Sequence, residues 1–408
     1  MSLVAVSFYE EPHAVWTLTA VLLLTVLLAW HRSAGTVAEK GSAIRDSGVL
    51  SNGNGYSIGE VESETPMPLG EVNVSKILIH PIKSCRGLSV TESRFTPLGL
   101  ENDRKWCIMD AETHVLVTAR EVPKMVLIES TLEYDSSDPH DGRLLVKVPQ
   151  ESGPVSFSVP IIPTQDILDS WSIIGDCSLF KVYFMDGYIV QPLLPSDPSP
   201  NDILTEYMGR RVFFMMKGPT PRECPSTAAF PNLKATAVFQ DGFPLLFASE
   251  ESLQDVAQTV RTAASGDENS FGKIGGLDND RWKDGNVEIE RFRPNIVFKG
   301  AGYPWAEDMW RSIVISPKPN TDPTTASADE TFTLVSKCTR CLLPNVDTKT
   351  AERDAAVPYK VLMKFRAGKD PARMSKPCFG CNGVPSGTGI VRVGDRVFVK
   401  EWAGEGGV

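Results

Sequence analysis

Val74-Ser75-Lys76-Ile77-Leu78-Ile79-His80-Pro81-Ile82 opens the part of the chain whose character decides the fold. It is the first of several short β-branched-rich runs, continuing at 106–109, 115–118, 125–130, 144–148 and 155–161, separated by Gly, Pro, Asp and Asn. Short apolar runs bounded by turn formers read as strands, and together they predict a small all-β unit. A further hydrophobic stretch, 177–184, leads into a Pro-rich passage over 191–202, a seam at which we place the boundary between two domains.

Beyond the seam, a strand-like run at 211–216 is expected to begin the second unit. A strand-to-helix step follows at 243–260. Ser249 suits the N-cap, Glu250 and Glu251 suit the positive helix start, and Leu253, Val256, Ala257 and Val260 form one apolar stripe. That stripe predicts core packing. Later come a cysteine-containing segment at 338–347 and a strand-rich stretch at 389–399 turning at Val393-Gly394-Asp395-Arg396. The expected fold class is mostly β with some α.

Upstream of residue 71 the character differs. Residues 33–69 are rich in Gly, Ser, Ala, Glu and Thr without helical or strand periodicity, so 31–70 is expected to be a disordered tether. A short tail, 1–13, precedes an uncharged run at 14–30 that begins Ala14-Val15-Trp16 and ends in Trp30. At about 1.5 Å per residue it spans about 26 Å as a helix, just short of a bilayer core of about 30 Å. A cleaved signal peptide would want a positive start and a shorter apolar stretch, whereas Glu10 and Glu11 precede this run. Arg32, Lys40 and Arg45 follow it. The positive-inside rule therefore predicts a single-pass signal-anchor with the C-terminal part in the cytosol.

With 408 residues, 42% hydrophobic and 23% charged, the chain can bury a core of about two domains. Lys+Arg 41 against Asp+Glu 51, a formal charge of -10, argues against nucleic acid as a partner. The eight cysteines, at 85, 107, 177, 224, 338, 341, 378 and 381, are too dispersed for a small disulfide scaffold and suit a reducing compartment. All five histidines, at 13, 31, 80, 114 and 140, precede the second unit. A Ser-His-Asp triad or Cys-His pair would need one reaching across. No His-Glu-x-x-His zinc motif, phosphate-binding P-loop or dinucleotide fingerprint is present.

Cys338-Thr339-Arg340-Cys341 and Cys378-Phe379-Gly380-Cys381 form two Cys-x-x-Cys pairs of the kind that close a structural zinc site. The gap between them, 342–377, is longer than the roughly 15–20 residues of a compact zinc ribbon. Around Cys341 stand Arg340, Arg293, Asn295, Lys83 and Arg104, types that suit a phosphorylated, nitrogen-rich ligand. The alternative for each is an ordinary surface group.

Taken together, the strings Val74-Ser75-Lys76-Ile77-Leu78-Ile79-His80-Pro81-Ile82-Lys83-Ser84-Cys85-Arg86-Gly87, Asp103-Arg104-Lys105-Trp106 and Val117-Thr118-Ala119-Arg120 resemble the MOSC domain family, and within it the mitochondrial amidoxime-reducing components. So do Arg291-Phe292-Arg293-Pro294-Asn295-Ile296-Val297, Cys338-Thr339-Arg340-Cys341, Val346-Asp347 and Val393-Gly394-Asp395. The resemblance implies an N-terminal β-barrel-like domain, 71–200, and a C-terminal MOSC β-barrel domain, 210–402. It implies a molybdenum cofactor of the molybdopterin type, contacted by Lys83, Ser84, Arg104, Asp241, Arg293, Asn295, Thr339 and Arg340, with Cys341 as metal ligand and catalytic residue. Thr339 stands where relatives often have Ser, and Asp241-Gly242-Phe243 stands where they often have Asp-Thr-Ser, so that of this string only Asp241 is carried over.

The implied activity is two-electron reduction of N-hydroxylated compounds such as amidoximes and hydroxylamines. Electrons would come from a cytochrome b5-type haem protein served by an NADH-dependent reductase, since no flavin, haem or nicotinamide motif is visible here. The implied location is the mitochondrial outer membrane. Two alternatives stand beside it: a cofactor-binding or sulfur-carrying MOSC module without reductase activity, and a zinc protein using Cys338, Cys341, Cys378 and Cys381.

Overall fold

In the computed structural model, which describes residues 70–266, 272–318, 322 and 324–408, Asn73–Ile79 is a strand buried on both faces. Successive strand side chains alternate between faces. Ile77 and Ile79 therefore join Phe247, Phe298, Trp310 and Phe332 on one side, while Leu78 joins Val256 and Val260 on the other. A strand covered on both faces belongs in the middle of an architecture. Asn73–Ile79 pairs antiparallel with Ile296–Lys299, and the order runs on through Leu245–Ser249, Cys378–Pro385, Thr331–Thr339, Trp310–Ser316 and Arg396–Trp402 back to Asn73–Ile79. With Leu88–Val90 attached outside, the ring is a closed barrel of seven strands.

One neighbouring pair in the ring is parallel. Leu245–Ser249 and Ile296–Lys299 are connected through the helix Glu250–Ala264, which lies against the barrel wall. Ser249 caps that helix, its side chain accepting from the Ser252 amide, and Val256, Ala257 and Val260 are buried as the stripe predicts. Glu307 ties the cap down. Its carboxyl accepts from Ser249 Oγ at 2.9 Å and Ser252 Oγ at 2.8 Å in a fully buried position.

Burial and the neighbouring Asp308 push the Glu307 carboxyl up to about 7 against these hydrogen bonds. Below about pH 4.5 it is protonated folded and unfolded alike. Between there and about 7 the folded state keeps the proton that the unfolded state releases, so stability falls as pH rises, by on the order of 3 kcal/mol in all. Glu307→Gln should flatten this decline in denaturant titrations between pH 5 and 7. An unchanged pH slope in the variant would contradict it.

The N-terminal part differs from a single barrel. Trp106–Asp110, Val212–Lys217, Tyr183–Ile189 and Ile173–Leu179 form one antiparallel sheet, and Glu129–Glu133, Arg143–Val148 and Val155–Pro160 form another. The two share a core that includes Ile108, Phe214, Leu144, Val146 and Phe157, but their strand pairings do not join them.

The domain boundary inferred from sequence is also crossed twice. Asn73–Ile79, expected in the first domain, completes the barrel of the second. Val212–Lys217, expected to begin the second domain, is a central strand of the first, because Phe214, Met215 and Met216 are buried together there.

Residues 125–130, expected as strand, begin as a 3₁₀ turn, Pro123–Leu127, whose first residue has no amide hydrogen to give a ladder. The Pro-rich seam ends in an unforeseen helix, Pro200–Met208, capped by Ser199. The tail 1–13, the expected membrane span 14–30 and the tether as far as residue 69 lie outside the described residues. Among the described residues no helix is long and apolar enough to cross a membrane.

Candidate functional site

Lys83, Ser84 and Arg104 are brought together by a short zipper. The Lys83 amide donates to Trp106 O, the Trp106 amide to Pro81 O, and the Arg104 amide to His80 O. From the barrel, Arg293 terminates the 3₁₀ turn Ile289–Phe292, and Thr339 ends the strand Thr331–Thr339. Arg340 then leaves the sheet, its amide held by Pro377 O. Ser84, Arg104 and Arg293 all take left-handed backbone conformations, with φ of 68°, 52° and 58°. Such conformations are uncommon outside glycine and, when they cluster, tend to mark sites held rigid by their surroundings.

All nine residues expected from the sequence line one cavity of about 590 Å³. Among side chains, the cavity wall carries the cations Lys83, Arg104, Arg120, Arg293, Lys337, Arg340 and Arg373 against the carboxylates Asp241, Asp370 and Glu405. Seven against three reverses the sign of a chain whose net charge is -10. Such a wall favours an anion.

Two of these cations are incompletely partnered. Arg293 is 9% exposed and Arg340 8%. Arg293 donates from Nη1 to Cys85 O at 2.5 Å, but its Nη2 has no partner. Arg340 donates to Phe292 O at 2.8 Å and to Cys338 Sγ at 3.1 Å, while its Nε has none. Burial, with Arg104 close by, pulls the Arg293 guanidinium down to about 9. A buried cation without a carboxylate is costly unless a ligand supplies the charge.

The remaining residues divide by what already occupies them. Lys83 is paired with Asp241 Oδ1 at 2.5 Å and donates to Phe239 O; burial lowers its ammonium, and Asp241 opposes that. Arg104 is clasped by Asp103 and also donates to Arg293 O at 3.0 Å. Asn295 spends its side chain on the barrel, accepting from the Leu246 amide at 3.1 Å and donating to Leu78 O at 3.4 Å. It acts here as a strand clamp at the cavity's edge. Thr339 Oγ1 accepts from Arg373 at 3.3 Å.

Cys341 is partly exposed, and its sulfur accepts one long contact from the Leu343 amide at 3.4 Å. Cys338, two residues before Arg340, has its thiol pushed up by burial against the pull of Arg340. Cys381 is turned inward, towards Glu307 O at 3.4 Å and Asp308 Oδ1 at 3.6 Å. Among the described residues no three His, Cys, Asp or Glu side chains converge as a metal site, so the four cysteines do not assemble the alternative zinc site. Asp347 makes a turn, accepting from the Lys349 and Thr350 amides, and pairs with Arg291.

Sequence reasoning missed Arg120, Phe180, Tyr183, Lys337 and Arg373, which share the same wall. Arg120 lies in a string that carried the family resemblance but no assigned role. Phe180 and Tyr183 lie about a turn with no glycine to announce it.

Two family models match the chain: MOSC N-terminal beta barrel domain over residues 71–175 and MOSC domain over residues 234–398. Mitochondrial amidoxime-reducing component 1 of Mus musculus is 28% identical over 339 residues, 80% of this chain and 82% of the relative. Mitochondrial amidoxime reducing component 2 of Rattus norvegicus is 29% identical with the same coverage. Molybdenum cofactor sulfurase of Oryza sativa subsp. japonica is 24% identical over 333 residues, 78% of this chain but 34% of that protein.

Proposed function

Since this chain belongs to the MOSC domain family, we propose that it is a molybdenum-cofactor-dependent reductase of N-hydroxylated compounds. The observation that carries this reading is the pair of buried, incompletely partnered guanidiniums, Arg293 and Arg340, on a cationic wall shared with the thiol of Cys341. That donor set fits a phosphorylated pterin with a soft metal: guanidinium for phosphate, thiolate for molybdenum. When bound, the cofactor supplies a two-electron centre.

The protein's part is to hold and to aim. Arg293 and Arg340 would take the phosphate, with Lys83, Ser84, Arg104 and Thr339 around the pterin. Asp241 would stay with Lys83, keeping a buried ammonium charged. Cys341, two residues beyond the barrel strand Thr331–Thr339, would hold the metal. The overall change in an amidoxime is loss of the N–O oxygen as water, consuming two electrons and two protons and leaving the amidine.

The electrons would come from a cytochrome b5-type haem protein served by an NADH-dependent reductase. Of the cavity's cations, Arg120 and Arg373 are the ones accessible enough to support docking of an acidic donor. Residues 14–30 would anchor the chain in the mitochondrial outer membrane with the site facing the cytosol, a location supported by the word mitochondrial in the relatives' names. The likeness to a sulfurase keeps one second reading, a cofactor carrier without reductase activity.

Assay of the full chain with benzamidoxime and a chemical electron donor separates the two. Benzamidine formation is the expected result. A chain that holds molybdenum and pterin yet reduces neither amidoximes nor hydroxylamines would leave the carrier.

A further inference from the structure

The hairpin formed by Ile173–Leu179 and Tyr183–Ile189 reaches the cavity with its tip. Leu179 pairs with Tyr183, so three residues make the turn. Phe180 and Lys181 take φ of 59° and 57°, a conformation that hairpin turns normally reserve for Gly or Asn. A bulky residue persists there only where its surroundings hold it.

Phe180 is so held. The Arg120 guanidinium lies over its ring, 4.1 Å from the centroid, and the Lys83 ammonium is 5.8 Å away. Just beyond the turn, Tyr183 is backed by Arg222 at 5.0 Å. Both rings line the cavity that Cys341 lines, together with Phe243. Phe180 and Phe243 have no hydrogen-bond donor to offer an anion. They give the cavity a second chemical character, apolar and flat, beside its cationic one.

We propose that Phe180 determines substrate specificity, its ring stacking on a flat, conjugated N-hydroxylated compound and so favouring aromatic over small aliphatic substrates. The inference rests on reading the cavity as a reductase site. Arg120 is the positioning residue, since a cation over one face of the ring fixes its plane. Offset or edge contacts between aromatic rings add to simple burial, and a small aliphatic ligand cannot make them. Charge agrees. An amidoxime is neutral near pH 7 and tolerates Arg120, whereas the amidine product is a cation that Arg120 repels, the charge of Lys83 being offset by Asp241.

Equilibrium binding of benzamidoxime and acetamidoxime to the full chain, followed by calorimetry, tests this without requiring turnover. Phe180→Ala and Phe180→Leu should each weaken benzamidoxime about tenfold, or about 1.4 kcal/mol, with acetamidoxime changed less than about twofold. Phe180→Tyr should restore benzamidoxime binding. In turnover the loss should fall on KM rather than kcat. Equal weakening of both ligands, unchanged benzamidoxime binding, or a wild-type chain with no aromatic preference would each overturn the proposal. A Phe180-dependent preference in a chain that reduces neither compound would support the aromatic subsite and sink the reductase reading alone.

Discussion

Cys341→Ala should leave a folded chain that has lost more than about 10²-fold of its amidoxime reduction, since even outer-shell partners of a metal are felt on a scale of 10–100-fold. Folding should survive because the Cys341 side chain is partly exposed and makes only the long contact with the Leu343 amide. The matched control is Cys338→Ala. Cys338 is as partly exposed as Cys341 and lines the same cavity, but it is engaged by Arg340 at 3.1 Å, and desolvation pushes its thiol up, so it is the less suited of the two to bind a metal as thiolate. Its loss should reduce activity less than about tenfold, a figure reached by leaving one donor of Arg340 unpaired. Activity assays beside thermal unfolding curves check both. Equal losses at the two cysteines would remove Cys341 from its assigned role, and retained activity in Cys341→Ala would do so outright.

Arg293→Met should move stability and cofactor content in opposite directions. In the empty chain Arg293 is a buried cation whose Nη2 has no partner and which burial pulls down to about 9. A group whose charged form is disfavoured by folding takes stability away at neutral pH. An apolar replacement of similar length should therefore leave the cofactor-free chain at least as stable, with a gain of up to a few kcal/mol. The same change removes a charge-assisted hydrogen bond of about 1.5–3 kcal/mol to the cofactor phosphate, or roughly 10–100-fold in retention. Arg293→Lys keeps the charge without the planar fork and should fall between the two. Thermal unfolding of cofactor-free protein, paired with pterin content after purification, reads both signs. A variant that is destabilised and keeps its pterin would mean that Arg293 serves the fold.

Local features of this fold were legible because their signals were local. Ser249 followed by two glutamates and a stripe at helical spacing marks one helix, and the structure has it, cap included. Strand partners were not legible. Nothing within Val212–Lys217 says that it pairs with Trp106–Asp110, and nothing within Asn73–Ile79 says that it closes a barrel with Ile296–Lys299, more than two hundred positions away. Those choices depend on which faces are buried, a property of the assembled sheet.

The site shows the same division. Lys83, Arg104, Arg293 and Arg340 stood out by residue type and string, and they meet in one cavity. Asn295 stood out equally, yet its amide is spent on Leu246 and Leu78. Phe180 left no trace, because a turn through two left-handed non-glycine residues has no sequence signature. Its placement over the cavity depends on Arg120, sixty positions earlier in the chain.

The central claim is that this cavity holds a molybdenum cofactor through Cys341, and elemental analysis with pterin release from the purified wild-type chain tests it most directly. Expressed in a host that makes the cofactor, the protein should carry molybdenum and pterin at about one each per chain, a single-site stoichiometry with Cys341 as the one protein ligand. Zinc near one per chain with neither molybdenum nor pterin would contradict it.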